Sequence, residues 1–139
     1  SRWSRLSRLP HPSTGSTSSW VGGPTHAFSM SRPATRASAG TDKSAPHVPV
    51  RGIREWLDAL TPVTTPIPAA AFDTRVDSPR LPGSAAKAAR QELRSHGFDT
   101  AAKAKTFRVH GYEGPVLDGE LDAAAAWARG LVEQVTSRR

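Results

Sequence analysis

At 139 residues, with 37% hydrophobic but only 6% aromatic side chains, the chain has the length of one domain and the material for a small core rich in Ala and Val. It has no cysteine, which excludes a disulfide framework, a thiolate metal site and a cysteine nucleophile. Its formal charge of +7 is unevenly spread, with +3 in residues 1–20, +2 in residues 21–50 and only +2 in the remaining 89, so it describes a solvated basic tail and not a specific nucleic-acid face.

Residues 1–19 contain no stretch that alternates like a strand or repeats like a helix of useful length, and they are expected to form a disordered basic N-terminal segment. No continuous apolar segment follows the N-terminal arginines, and no run reaches the roughly 18 residues that span a bilayer. The chain therefore reads as a cytoplasmic protein without a membrane partner. At Val21-Gly22-Gly23-Pro24-Thr25 a short apolar approach stops in a glycine pair and a proline. Two glycines let backbone come close to a flat ligand and Pro24 prevents a strand from continuing, so residues 22–30 are predicted to be a ligand-facing loop.

Residues 37–50 form a small-residue connector with nothing to bury, predicted as a flexible loop. Residues 51–60 then place Ile53, Trp56, Leu57 and Leu60 on one helical face, with Trp56 as a core anchor. After a proline-punctuated turn, Ala69-Ala70-Ala71-Phe72 reads as a buried strand opening onto a polar loop at residues 74–79. Residues 84–96 are rich in helix formers and end at Gly97. Residues 105–110 alternate as a strand, with a glycine- and proline-marked loop over residues 110–116. A last helix is predicted over 119–136, with Leu121, Ala124, Ala125, Ala128, Leu131, Val132 and Val135 at helical spacing. Strand, loop and helix repeat three times, the pattern of right-handed crossovers that build a parallel sheet with helices on both faces. The three loops should then meet at one rim, beyond the carboxyl ends of the strands.

The blocks GGPTHAFSMSRPATR, AFDTRV, LPGSAAKAARQEL and EGPVLDGELDAAAAWA resemble, in that order, the flavodoxin family and its actinobacterial flavodoxin-domain members. The resemblance covers roughly residues 20–136. It implies an α/β fold, a flavodoxin-like three-layer parallel sheet that is incomplete: strands three to five with their helices, over residues 20–137. It also implies FMN as cofactor, electron transfer to a redox partner protein as function, and loops flanking the isoalloxazine at Gly23, Pro24, Thr25, His26, Ala27 and Phe28 and again at Thr74 and Arg75. A flavin needs backbone donors at its N5 and O4 edge and an aromatic or apolar lid. His26 and Phe28 are either that lid or, respectively, a loop histidine and an ordinary packing residue. Arg75 pairs either with a phosphate or the reduced flavin's N1, or with Asp73 or Asp77.

The family's phosphate loop, a hydroxyl-rich turn between a first strand and a helix N-terminus, has no counterpart. Ser13-Thr14-Gly15-Ser16-Thr17 has the composition without the flanking strand and helix. Weak or absent FMN binding is the expectation. Residues 1–20 are further expected to be out-of-frame coding or a misassigned start: with GC-rich codons, the opening Ser-Arg-Trp-Ser-Arg-Leu-Ser-Arg-Leu shifted by two bases reads Glu-Val-Val-Glu-Val-Val-Glu-Val. In the flavodoxin order 2-1-3-4-5, lack of the first two strands would leave a central edge exposed to self-association. The alternative from a different class is a nonenzymatic basic interaction protein that binds an acidic partner through its tail.

Overall fold

Ile53, Trp56, Leu57 and Leu60 need a shared face, and the computed structural model supplies it in helix α1, Ile53–Asp58. The structure describes residues 25–26, 29–30, 52–77, 82–111 and 114–138. The carboxylate of Glu55 accepts a hydrogen bond from the Gly52 N–H at 2.8 Å, satisfying a backbone donor at the helix start. Thr61 precedes Pro62, a position that disfavours helical backbone, and α1 ends just before it, capped at Ala59.

Strand β3 spans Phe72–Val76 and strand β4 spans Lys105–Val109. They pair in parallel, from Phe72 opposite Lys105 to Val76 opposite Val109. Helix α2, Ala85–Ser95, makes the crossover between them. The parallel βαβ unit expected from the strand and helix pattern is therefore present, but its first strand is displaced along the chain: of the run expected at residues 69–72, only Phe72 enters the ladder. The strand does not end at Asp73; it runs on through Thr74 and Arg75 to Val76. Asp73 did not stop it because its carboxylate is buried and fully engaged, as described below.

Both ends of α2 follow from local chemistry. Ser84 caps the start, its Oγ accepting from the Lys87 N–H at 3.2 Å. At the other end the Phe98 N–H donates to Leu93 O and the Gly97 N–H to Arg94 O, each at 3.1 Å, the Schellman pattern with Gly97 at φ +89°. Phe98 then packs back on the cluster that contains Leu93.

Helix α3, Glu120–Ser137, follows β4. The two helices lie on opposite faces of the sheet. Asp73 bonds the first turn of α2, whereas its strand neighbour Phe72, which must point the other way, meets Trp127 of α3. The α2 side holds Leu57, Ala85 and Leu93, with Ile53, Trp56, Leu60, Ala88, Ala89 and Phe98 packed around them. On the α3 side Phe72, Phe107 and Trp127 form a triangle of edge-to-face contacts, with centroids 5.7–6.0 Å apart. Among the described residues the buried apolar side chains are Leu57, Ala71, Ala85, Ala86, Leu93 and Phe107, so the expected alanine-rich core is found, without valine.

The face predicted for α3 is rotated. Leu121 and Val132, expected inside, are 71% and 65% exposed, and Trp127 takes the inward position. A large ring reaching between two phenylalanines outweighs the aliphatic stripe in setting the helix orientation.

Ahead of this unit, β1 (Thr25–His26) and β2 (Ser29–Met30) pair antiparallel, Thr25 opposite Met30. The region predicted as a loop over residues 22–30 thus contains a short hairpin, and β2 lies alongside α2. The expected tail at 1–19, the apolar approach at Val21 and the connector at 37–50 lie outside the described residues. No helix among the described residues is long and apolar enough to cross a membrane.

Candidate functional site

In a parallel sheet the backbone after each strand emerges at the same end, and here that rim is tied together. The Asp77 N–H, first beyond β3, donates to Val109 O at the end of β4 at 3.0 Å, and Arg108 Nη1 donates to Val76 O at 3.3 Å. The loop after β4 closes on itself: the His110 N–H donates to Pro115 O at 2.8 Å and the Gly114 N–H to Gly111 O at 3.3 Å. His110 is exposed on this rim. Two of the three predicted loops, those after residues 76 and 109, therefore do leave neighbouring strand ends.

Thr74 and Arg75 stand in the last turn of the pleat before the rim. Thr74 is exposed opposite Phe107, and Arg75 is half-buried opposite Arg108. Cross-strand partners share a face, so the Arg75 and Arg108 side chains leave the sheet on the same side, which is also the side of Asp73. Thr25 and His26 form β1, and Gly23, Pro24, Ala27 and Phe28 lie outside the described residues. Residues 78–81 and 112–113 also lie outside them.

Three positions that the sequence did not single out do much to position this rim. Asp73, 5% exposed, accepts from Ser84 Oγ at 2.9 Å and the Ala86 N–H at 3.0 Å through Oδ2, and from Thr106 Oγ1 at 2.6 Å through Oδ1. One carboxylate thus fixes both strands and the start of α2. Glu120 does the same for the outer edge of β4, its Oε2 accepting from the Arg108 N–H at 2.7 Å, while the Leu117 N–H donates to Arg108 O at 2.9 Å. Arg90 clamps the approach to β4, its Nε and Nη2 donating to the carbonyls of Thr100 and Ala102 at 2.6–3.1 Å. No signal in the letters marked Asp73: Ala71-Phe72-Asp73-Thr74 does not alternate in polarity, and only the structure shows Asp73 sharing a face with buried Ala71.

The phosphate half of FMN can be tested against these helices. A phosphate seats on free N–H groups at a helix start. The start of α1 faces Glu55, that of α2 is filled by Asp73 and Ser84, and the first turn of α3 carries Glu120 and Asp122. An incoming phosphate meets a carboxylate at each, so no described helix start fits it.

Comparison with protein-family models, with curated proteins and with solved structures finds no match to this chain. The functional reading therefore rests on the residues and their geometry.

Proposed function

We propose that the chain is a flavodoxin-like electron-transfer domain that takes FMN weakly, through its isoalloxazine ring at the rim after β3 and β4 and without a phosphate anchor. The observation that carries this reading is the pairing of Arg75 with Arg108 at the carboxyl end of two adjacent parallel strands, where both following loops emerge. Paired guanidiniums suit a flat ring that gains negative charge on reduction, and the Thr74 and Arg75 positions of the family resemblance fall there. Bound flavin would supply the redox chemistry. The chain's own residues would orient the ring and shield one of its edges.

Titration of FMN and of riboflavin with the purified chain, followed by flavin fluorescence, tests the reading. Both should be quenched over the same range of protein concentration, because the phosphate finds no seat. Absence of quenching by either overturns flavin binding, and a strong preference for FMN overturns the absence of a phosphate anchor. Salt-sensitive binding of a polyanion without flavin quenching would instead identify the alternative, a basic interaction protein.

A further inference from the structure

We propose that α3 is a self-association element, pairing antiparallel with α3 of a second copy about a two-fold axis. On the flank of α3, round the helix from Trp127, Leu121, Ala125, Ala128 and Val132 recur at alternating spacings of four, three and four residues. This is the seam spacing of paired helices, and Leu121, Ala125 and Val132 are exposed. The seam is large at its ends and small in the middle. Ala125 and Ala128 allow the helix axes to approach closely, and a shallow hollow lined by Ala128, Arg129, Val132 and Glu133 can take a protruding Leu121 from the other copy.

The charges beside the seam select the partner and its direction. With Leu121 set opposite the second copy's Val132, the antiparallel arrangement places Ala125 opposite Ala128 and brings Asp122 next to the second copy's Arg129. The two-fold axis repeats each contact, so both exposed Asp122 side chains and both exposed Arg129 side chains gain an opposite charge. A parallel pairing makes neither ion pair. The patch is therefore complementary to itself in one orientation. A single helix flank is smaller than a standard interface, so the association is expected to be weak and dependent on concentration and salt. The β4 edge offers no rival route through Arg108, whose N–H and C=O are taken by Glu120 and Leu117.

Sedimentation equilibrium of the full chain tests this. The weight-average mass should climb with concentration from 14.8 kDa toward twice that value, and the climb should weaken as salt is added. Ala125→Arg should hold the chain at the monomer mass, while Ala126→Arg, off the seam, should leave the climb unchanged. Asp122→Arg and Arg129→Glu should each suppress association, and the two combined should restore it, because the pair is rebuilt with its signs exchanged. All four positions are helical, and a far-ultraviolet circular dichroism spectrum equal to that of the unaltered chain shows that loss of mass is not loss of fold. A chain that stays monomeric at every concentration overturns the proposal and leaves the seam to a different partner. So does a dimer indifferent to Ala125→Arg, or one that the double charge exchange fails to recover.

Discussion

A carboxylate as buried as that of Asp73 loses hydration worth several kcal/mol unless donors replace the water. Ser84, Ala86 and Thr106 supply three, two of them from the start of α2 and one from β4. The consequence for substitution is asymmetric. Asp73→Ala removes the acceptor from three donors at once and should cost roughly 3 kcal/mol or more, since bonds to a charged group contribute about 1.5–3 kcal/mol each and orphaned donors add their own penalty. Asp73→Asn keeps an oxygen for Ala86 and Ser84 and presents an amide that donates to Thr106, whose hydroxyl can turn to accept. Its loss should be about half as large or less. Urea unfolding of both variants measures the difference. Equal losses would mean that the charge itself, and not the number of satisfied partners, holds the unit together.

At the scale of the element, the two glycines with left-handed backbone that bound α2 and α3 separate strain from collision. Gly97 ends α2 at φ +89°, and a Cβ there would stand 2.8 Å from Val63 O, a backbone atom held in place because the Val63 N–H donates to His96 O at 2.9 Å. Gly119 opens α3 at φ +83° with nothing within 4 Å of the same added atom. Gly119→Ala should therefore cost only the left-handed conformation, about 1 kcal/mol. Gly97→Ala adds the collision and should lose at least about 2 kcal/mol. Thermal melts of the two variants give the comparison, and a Gly119→Ala loss as great as that of Gly97→Ala would contradict it. The same elements show what was legible in the letters. Ser84 and Gly97 frame α2 because a cap and a positive φ are local demands, written in adjacent residues. Where β3 ends was not legible, because the Asp73 carboxylate finds Thr106 across 33 positions of sequence and only that contact makes it compatible with a strand interior. The orientation of α3 was missed for a like reason. Its aliphatic spacing is intact, but Trp127 meets two rings from distant strands, and contacts of that kind leave no periodic trace. Of the candidate site, Thr74 and Arg75 could be placed near a strand end, while the opposing Arg108 required the register of β3 on β4.

Taken whole, the described residues form two apolar assemblies separated by the two-stranded parallel sheet, and they are unequal. On one side α1 and α2 close around Leu57, 1% exposed, and α2 is secured further by Asp73 and Arg90. On the other, α3 runs about 27 Å against strands of about 17 Å, so much of its length has no sheet beneath it. None of its residues is fully buried. It is fastened by Trp127, by Glu120 on Arg108 and by Arg138 on Asp99, and the last is an exposed pair of the kind that contributes little. Local opening should follow this inequality, with α3 detaching before the βαβ unit unfolds. Hydrogen exchange read by mass spectrometry should find α3 less protected than α2. Trp127→Ala, which removes a half-buried ring and should lose about 2–3 kcal/mol, should speed exchange in α3 and leave α2 almost unchanged. Leu57→Ala, with a loss of similar size, should do the reverse, speeding exchange in α1 and α2 first. If both substitutions raised exchange equally in α2 and α3, the two assemblies would open as one cooperative unit, and the sheet between them would have to transmit the loss of packing from one face to the other.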